Sequence, residues 1–245
     1  VVIEEYLDGP EVSLFVLTDG DSALALSPAQ DFKRINDGDE GPNTGGMGAY
    51  TPLPWAPAGL VDEVLTSVVH PTLAELRRRD TAFTGLLYVG LALTSQGLRV
   101  VEFNARFGDP ETQAVLARLE SPFGELLMAA ATGRLGEHPA LLWSQGSAVT
   151  VVLAAAGYPD APITGTVITG IEDAQAMEGV SVLHAGTNRA SDGTLTSSGG
   201  RVLSVTAIGE NLSQARARAY EAIARIDLAG GHYRTDIALR AALSE

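Results

Sequence analysis

The chain has 245 residues, 45% of them hydrophobic, enough for one large folded domain or two modest ones and incompatible with wholesale disorder. There is no Cys, which excludes a disulfide framework and thiolate chemistry, and no apolar run approaches the roughly 20 residues needed to span a bilayer. A net charge of −14 with only 16 Lys and Arg argues against nucleic acid and membranes as partners, and makes basic residues set among glycines candidate anion ligands.

The chain opens without Met on Val1-Val2-Ile3, an apolar β-branched run that reads as a strand, so a preceding segment is expected to be missing from this sequence. No secretory pattern is visible, and the cytoplasm is the expected compartment. Residues 1–18 read as two strands about a turn at Asp8-Gly9-Pro10, with another strand over 23–27. Residues 36–54 are rich in Gly, Pro and Asn and read as a long ordered loop. Leu60, Val64, Val68, Leu73 and Leu76 recur at near-helical spacing and predict an amphipathic helix over 57–79. Strands are expected over 84–94 and 98–105. Asp109-Pro110-Glu111 supplies an acidic cap, a Pro at the first position and a Glu in the first turn of a helix reaching about Leu119. A further helix follows Ser121-Pro122 and ends at Thr132-Gly133. Composition then changes: 147–156 is an apolar strand, 163–209 is rich in Val, Thr and Gly, and Asn211 caps a last long helix to about Ile226. The fold class is α+β, with one domain over 1–138 and a smaller β-rich one over 139–245.

Residues 100–111, VVEFNARFGDPE, carry the chemistry. Alternation along a strand puts Glu102, Asn104 and Arg106 on one face and Val101, Phe103 and Phe107 on the other. Glu and Asn offer the hard oxygen ligands that Mg²⁺ takes in small number beside water and phosphate, and Arg holds a phosphate or carboxylate bidentately. A solvent-facing edge strand carries the same residue types, so this segment alone leaves both readings open. His70, His138, His184 and His232 show no i,i+4 pairing, and no zinc site is expected.

Three further stretches narrow the choice: Gln30-Asp31-Phe32-Lys33-Arg34, then residues 41–50 (GPNTGGMGAY), then residues 106–113 (RFGDPETQ). Together and in this order they resemble the phosphoribosylamine–glycine ligases, or glycinamide ribonucleotide synthetases, of the ATP-grasp superfamily; residues 184–187 and 198–203 resemble the C-terminal domain of that family. The resemblance implies the second half of an ATP-grasp domain, a mixed or antiparallel sheet with helices, followed by a small β-rich domain. It implies ATP-dependent ligation of glycine to 5-phosphoribosylamine through glycyl phosphate, in purine biosynthesis, with Mg²⁺ or Mn²⁺ as cofactor. By motif position Glu102 and Asn104 would be metal ligands, and Glu4, Glu5, Leu7 and Glu11 would line the nucleotide site. Arg106, Lys33 and Asp31 would be catalytic; Asn43, Gly45, Gly46, Met47, Gly48, Asp109 and Arg201 would face the substrates, the glycines by letting backbone N–H groups approach an anion. Asp109 is also expected to cap its helix. Two departures stand out. Tyr88 occupies the place where many ATP-grasp enzymes have a third metal carboxylate, and the family's N-terminal domain and glycine-rich lid over ATP are absent from these residues. The fragment alone is therefore expected to be inactive. Another ATP-grasp ligase or carboxylase-type enzyme, and a non-catalytic fragment, remain as alternatives.

Overall fold

From Val12 to Thr18 every side chain of the strand Glu11–Thr18 is buried, the result of an apolar run placed at the centre of a sheet. A computed structural model describes Ile3 and residues 5–245; Val1, Val2 and Glu4 lie outside the described residues. The chain divides into two compact units, the first made of the residues up to Gln30 with 55–108 and 119–143, the second of 31–54, 109–118 and 144–245. The single cut expected at 138/139 is not how the contacts fall: two motif-bearing segments pack with the later residues.

The first unit is built on a four-stranded antiparallel sheet in the order Ala23–Ala25, Glu11–Thr18, Gly85–Thr94, Gly97–Asn104. The strand Gly97–Asn104 lies at its edge, and Val101 and Phe103, expected to pack inward, are 43% and 42% exposed, since an edge strand lacks a neighbour on one side. The helix expected over 57–79 runs from Leu60 to Arg78 with a π turn at Leu65–Val69. Pro71 explains that turn: it has no N–H to donate and its ring crowds the carbonyl four residues earlier, so the turn before it widens. The inward position after Val64 is consequently Val69, fully buried, and not Val68. The helix Phe123–Ala131 buries Leu126 and Ala130 and ends at Gly133, whose φ of 69° suits a glycine after a helix.

The second unit is built on a five-stranded sheet in the order Val180–His184, Arg201–Gly209, Ser147–Ala154, Gly48–Thr51, Gln30–Asp31. All eight residues of Ser147–Ala154 are buried, and the Thr150 and Thr206 hydroxyls pair across the strands at 2.9 Å. The helix Leu212–Ile223 lies against this sheet with Leu212, Ala215, Ala219 and Ala222 inward, the helical repeat realised with small residues. The Asn211 carboxamide oxygen accepts the Gln214 N–H at 2.8 Å, as a cap should.

Two expectations are corrected. Among the described residues Ile3 and 5–8 form no strand; Ile3 and Tyr6 are 92% and 90% exposed, so an alternating face has nothing to pack on. Residues 36–54 are also more than a loop. Arg34–Asn36 and Glu40–Asn43 form a hairpin about a 3₁₀ turn at Asp37–Asp39, and Gly48–Thr51 is an inner strand, paired with Ser147–Ala154. Its partner lies a hundred residues on, where local composition carries no trace of it.

Candidate functional site

In the first unit, Glu102 and Asn104 sit on the edge strand opposite Gly90 and Tyr88. The Asn104 amide donates to the Glu102 carboxylate at 2.9 Å, which confirms that the two share a face. Gly90 makes room for this pair: a Cβ there would lie 3.1 Å from Glu102 Cγ and 3.2 Å from Tyr88 Cε1. Tyr88 is buried, its hydroxyl 2.8 Å from Ser13 Oγ and its ring 5.6 Å from that of Phe15. Turning the Asn104 amide, whose oxygen and nitrogen are assigned by their contacts, would set two hard oxygens side by side. These donors fit a divalent cation that draws its other ligands from water and phosphate; among the described residues no group of three or more His, Cys, Asp or Glu is arranged so that it could hold a metal ion.

Arg106 does not continue the alternation, because the strand ends at Asn104. It is exposed and donates to the Phe107 carbonyl at 3.0 Å. Phe107 anchors this exit: its ring lies 5.6 Å from Phe15 and 5.8 Å from Phe123. Of the residues expected at the nucleotide, Glu4 lies outside the described residues, Glu5 is exposed, Leu7 is half-buried, and Glu11 opens its strand opposite Ala92. Asp8 accepts the Ser95 N–H at 3.1 Å, and hydrogen bonds from the Ser95 side chain and amide hold its carboxyl below the usual range.

In the second unit, Asp31 and Lys33 pair at 3.9 Å. Residues 32–33 are tied to the glycine-rich segment: the Lys33 carbonyl accepts the Thr44 N–H at 2.8 Å, and Phe32 exchanges hydrogen bonds with Met47 and Gly48. The glycine N–H groups are turned inward. Gly45 donates to the Tyr158 hydroxyl at 2.9 Å and Gly46 to Thr44 Oγ1 at 3.0 Å, so both N–H groups have partners within the chain. Met47 is fully buried and packs with Ile35, Ala154 and Tyr158, and Gly48 is buried in its strand. Glycine is required here for close approach. Gly46 has φ of 107° and an added Cβ would lie 2.5 Å from Pro110 Cδ.

Arg201 fastens the same segment. Its Nη1 donates to the Gly45 and Asp109 carbonyls, both at 2.6 Å, and lies 3.3 Å from the Asp109 carboxylate. Asp109 is not the helix cap it was expected to be; Pro110 holds that position without a side-chain bond, and the Asp109 carboxylate accepts from Gln113 at 2.9 Å. Asn43 is exposed at the end of the hairpin, opposite Arg34. Tyr158, Gly90 and Arg234 were not singled out from sequence. Arg234 alone had a signal, a cation within the dense polar and aromatic run 232–236 (HYRTD).

The sheet of the first unit, with its carboxylate and carboxamide on an edge strand, is the second half of an ATP-grasp fold. The biotin carboxylase domain of Hydrogenobacter thermophilus 2-oxoglutarate carboxylase, crystallised with MgADP, superposes with a TM-score of 0.65 over 94% of this chain and 48% of its own, at 14% identity. Within that fold the match is to one family: residues 1–112 fit the phosphoribosylglycinamide synthetase ATP-grasp (A) domain, and residues 148–240 its C domain. The chain belongs to the phosphoribosylglycinamide synthetase family. It is 63% identical over 244 residues to the phosphoribosylamine–glycine ligase of Streptomyces coelicolor, covering 99% of this chain and 58% of that one. With the Mycobacterium tuberculosis (H37Rv) ligase it shares 60% over 242 residues, 99% of this chain and 56% of the relative. The crystal structure of the Thermotoga maritima ligase superposes with a TM-score of 0.85 at 36% identity, over 96% of this chain and 57% of that one. The chain thus spans a little over half the length of these relatives.

Proposed function

We propose that this chain is the C-terminal part of an ATP-dependent ligase that joins glycine to 5-phosphoribosylamine. The observation that carries the reading is the Glu102–Asn104 pair, held on one face at 2.9 Å with Gly90 cleared beneath it, in a chain of this family. In the reaction a glycine carboxylate oxygen attacks the γ-phosphorus of ATP and ADP leaves, giving glycyl phosphate. The phosphoribosylamine nitrogen then attacks the glycyl carbonyl carbon, the C–O bond to phosphate breaks, and the nitrogen loses a proton. Such transfers need charge neutralisation and positioning more than a covalent group from the protein. Glu102 and Asn104 would hold a divalent cation, Mg²⁺ or Mn²⁺, whose charge offsets that of the phosphates. Arg106 adds an exposed guanidinium, and Lys33, oriented by Asp31, an ammonium; Glu5, Leu7 and Glu11 would line the nucleotide, together with Glu4, which lies outside the described residues. Asn43 and Gly45 offer the exposed part of the glycine-rich segment to substrate, while Gly46, Met47, Gly48, Asp109 and Arg201 shape it from within. No helix among the described residues is long and apolar enough to cross a membrane, and we place the enzyme in the cytoplasm.

The test is substitution of Glu102→Ala and Lys33→Ala in the full-length ligase, with ADP release measured in the presence of both glycine and phosphoribosylamine. Each change should lower turnover by about 10²-fold or more, with the protein still folded. Undiminished turnover in Glu102→Ala defeats the metal assignment; ADP release with neither substrate, or only with bicarbonate, points to a different ATP-grasp reaction.

A further inference from the structure

Arg234 is remote in sequence from every residue given a role above, yet its side chain is completely buried. A guanidinium removed from water needs its charge and its donors matched. Here Nε and Nη2 donate to the two oxygens of Asp236, each at 2.7 Å, in a bidentate pair. Nη1 donates to the Asp39 carboxylate at 2.7 Å and to the Arg34 carbonyl at 3.1 Å, and Cζ lies 4.9 Å from the centre of the Phe32 ring.

The surrounding contacts follow the same line. Asp236 also accepts the Gly38 N–H at 2.8 Å, Asp37 accepts both the N–H and the hydroxyl of Thr235, and His232 Nε2 lies 2.8 Å from the Ile35 carbonyl. Residues 232–236 thereby grip residues 34–39, some 200 positions earlier. The gripping segment is itself seated on the helix Leu212–Ile223. The Tyr220 hydroxyl donates to the Arg234 carbonyl at 2.7 Å and accepts the Ile237 N–H at 3.1 Å, and Arg216 donates to the Ile237 carbonyl at 3.0 Å.

What is gripped is the hairpin Arg34–Asn36 with Glu40–Asn43. One arm leads back into Lys33 and Asp31, the other forward through Asn43 into Thr44–Met47. We infer that Arg234 is a positioning residue for the proposed ligation, holding Lys33 and Asn43 in register with each other through Asp39 and Asp236. The inference rests on the reading given under Proposed function. The residue type supports it: an apolar side chain of equal volume would fill the space at least as favourably, whereas a fork of directed donors specifies how two distant segments align.

The experiment uses the full-length ligase with D39N and D236N, which each remove one carboxylate from the knot, alongside R234M and R234K. Circular dichroism and urea midpoints establish that each variant is folded. In folded D236N the KM for glycine or phosphoribosylamine should rise about tenfold, with the KM for ATP within about twofold of the parent. The amides of Gly38, Thr44 and Gly45 should exchange hydrogen faster while those of Gly85–Thr94 do not. R234K should not restore the parental KM, because an ammonium cannot make the bidentate pair. If R234M fails to fold, the two Asn variants decide. Parental KM values for all three substrates in folded D39N and D236N overturn the inference. Lys33→Ala is assayed in parallel: if it turns over normally the ligase reading fails and this inference with it, whereas if it is impaired and D236N is not, the role of Arg234 alone is refuted.

Discussion

Gly90 shows how a residue without a side chain can matter to chemistry. A methyl group there would meet Glu102 Cγ at 3.1 Å, a contact tight enough to require the carboxylate stem to move by a few tenths of an ångström. In the full-length ligase Gly90→Ala should therefore raise the divalent-cation concentration for half-maximal turnover several-fold, measured by titrating Mg²⁺ at saturating ATP. An unchanged midpoint would show that Glu102 does not depend on that clearance. Asp236 gives a prediction of a different kind. Burial acts to raise its pKa, but it is outweighed by the hydrogen bonds from Arg234, the Gly38 N–H and the charge of Arg234, which leave the carboxyl below the ordinary range. A carboxyl whose folded pKa is depressed contributes stability above its unfolded value, near pH 3.9, and that contribution is lost as pH falls through the folded value. Urea midpoints followed downward from pH 5 should fall less steeply in D236N than in the parent; parallel curves would mean that the pair carries no linkage. At this scale the sequence was informative about the shared face of Glu102 and Asn104, which strand alternation predicts and their 2.9 Å hydrogen bond reflects. It misled on Asp109 as a helix cap, since the choice between a cap and a partnership with Gln113 and Arg201 depends on residues far along the chain.

The elements were legible to the extent that their causes are local. The last long helix was readable from its cap, Asn211. Asn211→Ala should cost about 1 kcal/mol in urea unfolding, and Asn211→Asp close to nothing, because Asp accepts the same N–H. Equal losses in both would remove the capping argument. The helix of the first unit was readable in extent but not in facing. The π turn ahead of Pro71 inserts a residue into the repeat and brings Val69 to the position expected for Val68. Val69→Ala should consequently destabilise by about 2 kcal/mol, and Val68→Ala by well under 1 kcal/mol. The reverse ranking would restore the uninterrupted helical pattern. The strand Gly48–Thr51 could not have been found from its own residues. Its four residues, GAYT, become a strand between the ladders offered by Ser147–Ala154 and Gln30–Asp31, and the glycine-rich segment before it is held by Tyr158 and Arg201.

For the molecule as a whole, the relatives set the scale: this chain matches 58% of the Streptomyces coelicolor ligase and 57% of the Thermotoga maritima one. On the proposed reading, a transfer between ATP, a carboxylate and an amine needs every charge of the phosphates offset at once, and this chain matches only part of each relative that would supply that offset. We therefore expect this 245-residue chain, purified by itself, to release no ADP above background with ATP, Mg²⁺, glycine and phosphoribosylamine, under conditions where the full-length ligase is active. Turnover by the chain alone would show that the described residues, with Val1, Val2 and Glu4, suffice.

The amino-acid order by itself determined the α+β class, most helices and strands, and the family. Hydrophobic spacing, capping residues and compact motifs act over a few positions, so they can be read one stretch at a time. Tertiary structure alone decided that residues 31–54 and 109–118 pack with the segment after Ser144, that the glycine N–H groups turn inward, and that Arg234 is buried between Asp39 and Asp236. Each of these joins groups separated by tens to about two hundred positions. Hydrogen bonds and ion pairs between those groups offset the cost of taking them out of water, and only the folded chain brings the partners together to do so.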